Sequence, residues 1–187
     1  MRELETRLDG PVLIEAEKHG DERGFFVETY RRSLYASLGI HDSFVQDNQS
    51  RSSRGVLRGM HFQIEPGQAK LVRAARGSIL DVVVDIRRGS PTFGEWEAFA
   101  LSDENALQIY VPVGFAHGFV VTSDSADVVY KVSSYYDPAF ESGIAYDDPD
   151  VGIHWPEDVE LQLSERDANA PRLAQVADEL PFKYRRR

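Results

Sequence analysis

From residue 69 to residue 133 the chain is broken by turn residues roughly every 10–15 positions, and this spacing limits the possible folds more than any other feature. The segments 69–75 (AKLVRAA), 78–86 (SILDVVVDI), 95–101 (EWEAFAL), 107–111 (LQIYV), 118–122 (GFVVT) and 127–133 (DVVYKVS) are short and rich in β-branched or aromatic residues. Gly77, Gly89-Ser-Pro, Ser102-Asp-Glu-Asn, Pro112-Val-Gly and Ser123-Asp-Ser separate them. Strands so closely spaced leave no room for crossover helices, so the pattern predicts an antiparallel sandwich or barrel rather than βαβ units. Only 31–38 (RRSLYASL) and 172–180 (RLAQVADEL) read as helix. The expectation is a mainly β protein, an antiparallel jelly-roll barrel with a few short helices. With no repeat, linker or low-complexity stretch, 187 residues fit a single domain over 1–187, its barrel at about 10–172 and a short helical tail after it. In SILDVVVDI, Asp81 and Asp85 share a face with Val83, while Leu80, Val82 and Val84 share the other. That alternation predicts one buried face.

Charge narrows the partners. Lys and Arg number 21 against 31 Asp and Glu, a net charge of −10. A chain this acidic is a poor binder of nucleic-acid polymers, which require clustered positive charge. The charge is also uneven: residues 1–90 hold 14 basic and 13 acidic side chains, residues 91–187 hold 7 and 18. From Arg51 to Arg88 there are eight basic residues and three acidic, whereas 137–160 has eight acidic and no Lys or Arg. Solvated loops account for such runs, but a basic middle also suits one small anion. There are no cysteines, hence no disulfide, thiol nucleophile or zinc-thiolate site. No run approaches the roughly 18 apolar residues of a membrane span, and MRELETRLDG has no signal-peptide core. The expectation is a cytoplasmic protein away from membranes.

Five histidines are present: His19, His41, His61, His117 and His154. His61 follows a Gly-rich turn at the start of an expected strand; His117 falls between two expected strands. Either can be a structural histidine, yet both adjoin glycines, which let a ligand approach the backbone. There is no His-x-His or His-x-x-His spacing, so no metal is expected. Ser50, Ser52 and Ser53 fall in what reads as a polar loop without a nucleophile motif, and no phosphate-cradling glycine loop is present. Acid–base chemistry without a cofactor remains. His61 is the candidate base, with a buried carboxylate on its other nitrogen to fix the tautomer. Tyr130 is the candidate acid, although a tyrosine in VVYKV is also an ordinary core residue. Arg23, Arg58 and Lys70 are candidate cations for a charged ligand or intermediate.

A series of blocks then runs in register through the chain: Asp21-Glu-Arg23-Gly24-Phe25-Phe26-Val-Glu28, Gln46-Asp47-Asn48-Gln-Ser50, Gly55-Val-Leu-Arg58-Gly59-Met60-His61-Phe62 and Gln68-Ala-Lys70. Asp81-Val-Val-Val-Asp85-Ile-Arg87, Gly89-Ser-Pro91-Thr-Phe-Gly94, Pro112-Val-Gly114-Phe-Ala-His117-Gly118-Phe119, Tyr130 to Glu141, Asp148-Pro149 with Trp155-Pro156, and Leu163-Ser164-x-x-Asp167 continue it. From about residue 10 to 172 this order resembles the dTDP-4-dehydrorhamnose 3,5-epimerase family. The resemblance implies a cupin-type jelly roll with no metal and no cofactor. It also implies a homodimer with exchanged N-terminal strands and a nucleotide-sugar substrate, a 4-keto-6-deoxyhexose linked to dTDP and inverted at C3 and C5. It makes His61 the base, paired with Asp167, Tyr130 the acid on the opposite face, and Lys70 the cation for the enolate oxygen. Arg58 would hold phosphate, with Arg23 reaching it from the partner chain, and Tyr136 would stack on thymine. Glu28, Gln46, Asp47, Asn48, His117, Glu141 and Arg166 match positions that line the ligand. Arg166 stands where a lysine is common, and Met60 where a leucine is. Relatives that invert C3 alone, or act on other 4-keto-hexoses, share these motifs. A non-catalytic dTDP-sugar-binding cupin is the competing reading, but it has no use for an opposed acid and base.

Overall fold

The computed structural model describes residues 1–185. The chain opens with β1 (Arg2–Leu4) and β2 (Val12–Glu15), a hairpin of β3 (Lys18–Asp21) and β4 (Gly24–Val27), and helix α1 (Arg32–Ser37). Then come β5 (Gln46–Ser53), β6 (Leu57–Gln63), β7 (Lys70–Arg76) and β8 (Ser78–Asp85). They are followed by β9 (Trp96–Ser102), β10 (Leu107–Val111), β11 (Phe115–Val121), β12 (Ser125–Val132) and β13 (Glu141–Gly143). Helices α2 (Glu165–Ala168) and α3 (Leu173–Val176) and a 3-10 turn at Ala177–Glu179 complete the elements. A six-stranded sheet, β1-β2-β10-β7-β12-β5, faces a five-stranded sheet, β13-β6-β11-β8-β9, and every ladder within them is antiparallel. This is the expected cupin-type barrel. Among the described residues no helix is long and apolar enough to cross a membrane.

Period-two alternation sorts side chains into layers. Val72 and Ala74 of β7, Ile79 and Val83 of β8, Ile109 of β10, Phe119 of β11 and Val128 of β12 form the core between the sheets. The outer face of the five-stranded sheet is covered too. Val82, Val84 and Ala116 pack under Ile144, Val151, Leu173, Leu180 and Phe182 from the C-terminal segment. β8 is therefore buried on both faces, not on one as its alternation suggested. The cover comes from residues some 60–100 positions later in the chain, outside any local pattern. The two acids of β8 have separate duties. Asp85 accepts hydrogen bonds from Arg87, Ser90 and Thr92 (2.6–2.9 Å), closing the turn after the strand. Asp81 meets His117 of β11 instead.

Three further local expectations change. The serines at 50, 52 and 53 belong to β5, not to a loop; its pairing with β12 from Gln46↔Val132 to Ser53↔Ser125 orders a polar sequence of low strand propensity. His117 lies inside β11, opposite His61 across the ladder, and His61 is the fifth residue of β6 rather than its start. The adjacent glycines serve strand packing rather than ligand approach. A Cβ on Gly118 would come within 2.7 Å of the Met60 Sδ and 2.9 Å of the Arg58 carbonyl oxygen, and Gly59, at φ 154°, faces Gly118 Cα. The ladder shifts register between His117 and Phe119, and β6 and β11 close to this distance only without side chains there.

Gly118→Ala is expected to force β6 and β11 apart and to cost about 1–3 kcal/mol. In thermal unfolding this lowers Tm by a few degrees per kcal/mol, and an unchanged Tm would disprove the packing role.

Candidate active site

One end of the barrel interior holds a cavity of about 700 Å³, a volume suited to a drug-sized or larger ligand. Both sheets line it because the inward rows of several strands turn from apolar to polar at this end. On β7, Lys70 continues the row of Val72 and Ala74; on β12, Tyr130 continues that of Val128. The five-stranded sheet brings Arg58 and His61 from β6, His117 from β11 and Glu141 from β13. Ser164 accepts a hydrogen bond from the Asp167 amide, capping α2 and turning Asp167 toward His61.

Two imidazole–carboxylate pairs lie side by side. His61 Nε2 is 2.7 Å from Asp167 Oδ1, which leaves Nδ1 as the nitrogen free for a ligand's proton. Burial pushes Asp167 up, but the hydrogen bond and charge of His61, with the Ser164 side chain and the Gly59 amide, outweigh it and hold the carboxyl below its usual range. His117 Nε2 is 2.8 Å from Asp81 Oδ2, with both residues buried. Burial pulls His117 down, and the attraction of Asp81 does not fully offset it. Lys70 is buried, and its Nζ donates to the His61 carbonyl oxygen at 3.3 Å. Burial draws the ammonium down to about 8, against the opposing pull of Glu141 and Asp81. Burial also raises Tyr130, although the Arg58 charge works the other way, so the phenol keeps its proton at neutral pH. Its hydroxyl makes no hydrogen bond to another described residue. His61 and the Tyr130 phenol thus stand on opposing sheets across one cavity.

Polar groups gather at the mouth. Glu141 Oε2 accepts from Tyr136 Oη at 2.7 Å and from Arg166 at 2.5 Å; burial raises this carboxyl, but the two donors bring it below its usual range. Tyr136 is half exposed, and Gln46 accepts from its amide while donating to Asn48. Arg58 Nε donates to Ser52 Oγ at 3.1 Å.

Of the residues expected in the site, His61, Lys70, Tyr130, Asp167, Gln46, Asn48, Arg58, His117, Tyr136, Glu141 and Arg166 all line this cavity. Asp47 does not. It falls between Gln46 and Asn48 on β5, so alternation turns it outward, where it pairs with Lys131 at 2.6 Å. Arg23 pairs with Asp21 on the exposed β3–β4 hairpin, and Glu28 pairs with Arg31, both away from the cavity of this chain. Asp81 was missed as a site residue. Its signal was present, an acid on the inward face of an apolar strand, but nothing local linked it to a histidine 36 positions later.

A cupin-type barrel that sets an imidazole–carboxylate pair against a phenol across one cavity defines an acid–base enzyme. The sequence pattern of the family described as dTDP-4-dehydrorhamnose 3,5-epimerase matches residues 5–175. The chain is 51% identical over 170 residues to the dTDP-4-dehydrorhamnose 3,5-epimerase of Methanothermobacter thermautotrophicus, covering 90% of this chain and 92% of that one. Identity to the enzyme of the same name from Pseudomonas aeruginosa is also 51%, over 165 residues and 87% and 91% of the two chains. Among solved structures, dTDP-6-deoxy-D-glucose-3,5-epimerase from Legionella pneumophila, in complex with dTDP-4-keto-L-rhamnose, superposes with a TM-score of 0.96. It is 48% identical, with 99% of each chain covered. A 3'-monoepimerase from Streptomyces bikiniensis, in complex with dTDP-quinovose, gives a TM-score of 0.90 at 42% identity, covering 95% of this chain and 91% of that one. The chain belongs to the dTDP-4-dehydrorhamnose 3,5-epimerase family.

Because Lys70 binds its proton less tightly folded than unfolded, stability is expected to rise with pH between about 8 and the ordinary lysine value near 10.4. Lys70→Met should therefore be more stable than the parent at neutral pH, by on the order of 3 kcal/mol, and the gap should close toward about pH 10. Chemical denaturation at both pH values measures it; a gap that does not narrow would refute the buried ammonium.

Proposed function

We propose that this chain is an isomerase, a cofactor-free epimerase that inverts C3 and C5 of dTDP-4-dehydro-6-deoxy-glucose to give dTDP-4-dehydrorhamnose. The observation that carries the reading is the placement of His61–Asp167 and Tyr130 on opposite walls of one cavity. A C4 ketone acidifies the hydrogens on both neighbouring carbons, so one enolate chemistry serves both centres. His61 Nδ1 takes the proton from carbon, the electron pair moves onto the C4 oxygen, and the Lys70 ammonium stabilises that oxyanion away from bulk water. Tyr130 returns a proton to the opposite face of the same carbon, and inversion follows. Only protons move, so the step balances without an oxidant or reductant. Arg58 and Arg166 hold the diphosphate, Tyr136 stacks on the thymine, and Gln46, Asn48, His117 and Glu141 line the sugar and nucleotide.

The protein acts, in this reading, as a cytoplasmic homodimer with exchanged N-terminal segments. Support comes from the β3–β4 hairpin, which leaves Phe25 56% and Phe26 69% exposed and carries Arg23. Apolar rings so exposed are suited to cover by a second copy, whose cavity Arg23 and Glu28 would then reach.

Incubation with the 4-keto substrate in deuterated water is expected to label both C3 and C5. Label at neither carbon would sink the reading, and label at C3 alone would favour the 3-epimerase alternative that the Streptomyces bikiniensis neighbour keeps in view. His61→Ala should lower turnover by at least about 10²-fold with dTDP affinity little changed. Tyr136→Ala should weaken dTDP binding by about 1–3 kcal/mol in calorimetry; unaltered affinity would argue against stacking.

A further inference from the structure

We propose that Asp81 is a positioning residue of the epimerisation, one carboxylate oxygen fixing the His117 ring and the other serving as the counter-charge that keeps the Lys70 ammonium in place. The inference rests on the reading of Lys70 as the cation beside the enolate oxygen.

Asp81 has no exposed surface, and its two oxygens have different surroundings. Oδ2 accepts from His117 Nε2 at 2.8 Å, whereas Oδ1 is buried with no hydrogen-bond partner among the described residues. A carboxylate ionised in such a place requires a cation near it. Two basic groups are candidates, His117 on the neighbouring strand β11 and Lys70 on β7 of the opposing sheet. His117 is held toward its neutral form by burial, and Lys70 and His61 push it the same way against Asp81. It therefore offers Asp81 an N–H dipole and keeps Nδ1 unprotonated. Lys70 is the remaining positive charge.

The acids around Lys70 divide in the same manner. Glu141 and Asp81 both favour its charged form. Glu141 is already engaged by Arg166 and Tyr136, and Asp167 by His61. Among the described residues the Lys70 Nζ hydrogen-bonds only the His61 carbonyl oxygen, and His61 lies opposite His117 across the ladder. Asp81, on the strand beyond His117, is the carboxylate of the group whose second oxygen is fully buried and without a hydrogen bond among the described residues. Without it, one of the two acids that oppose the pull of burial on the Lys70 ammonium is gone, and a neutral amine cannot stabilise an enolate oxygen.

Asp81→Asn tests this, because the amide oxygen still accepts from His117 while the charge is gone. The alkaline limb of the pH–kcat profile is expected to move down by on the order of one pH unit. At about pH 8 the charged fraction of Lys70 would then fall from about one half to about one tenth, roughly a five-fold loss of turnover. Affinity for dTDP should stay within about two-fold. An alkaline limb that stays in place, whatever happens to Tm, overturns the proposal. If the variant does not fold, wild-type protein labelled with [13C]aspartate and [15N]histidine supplies the second measurement. His117 should stay neutral, with Nε2 protonated and hydrogen-bonded to the Asp81 carboxyl, at neutral pH; an imidazolium there, or an Nε2 with no bond to Asp81, overturns the proposal as well. Wild-type protein that introduced no deuterium at C3 or C5 would instead defeat the functional reading, leaving the state of Asp81 and His117 to be read by resonance alone.

Discussion

The structure depends on pairing every charge that enters the barrel, since a lone ion in a medium of low dielectric would cost more than the fold can offset. The inward rows of β7, β11 and β12 carry both the apolar core and the polar cavity. Val72 and Ala74 lead to Lys70, Ile79 and Val83 flank Asp81, and Phe115 and Phe119 flank His117. Three of the carboxylates at that end each answer a basic group: Asp167 to His61, Asp81 to His117, Glu141 to Arg166. Such pairs set tautomers as well as stability, and so choose which ring nitrogen faces the ligand.

The same pairing separates groups of one chemical type. Asp81 and Asp85 are four residues apart on one face of β8, and both are fully buried. Asp85 meets an arginine and two hydroxyls from the turn that follows, so it serves the fold. Asp81 meets a histidine from another strand, one that lines the cavity. Lys70 and Lys131 differ likewise. The first is buried against a backbone carbonyl, and the second bridges outward to Asp47.

Much of the fold was legible because strand and turn signals are local. The segments at 78–85 and 107–111 and the helix near 32–37 lie where side-chain pattern placed them. β5 was not legible: QDNQSRSS has no apolar alternation, and only its long pairing with β12 makes it a strand. The second buried face of β8 escaped for a related reason, since its cover arrives from residues 144–182. Motif order brought eleven of the expected residues to one cavity. It misplaced Asp47, because a motif of consecutive residues ignores the two-residue period that turns each neighbour to the opposite face.

By itself the sequence determined the class of fold, through turn spacing and β-branched runs, and the kinds of group available for chemistry: imidazole, phenol, carboxylate and cations with no thiol among them. Tertiary structure alone decided which group meets which. His61 and Asp167 are 106 residues apart, and His117 and Asp81 are 36 apart. Proton affinity, tautomer and charge depend on burial and on the nearest counter-charge within a few ångströms, and those distances exist only once the two sheets have closed on each other.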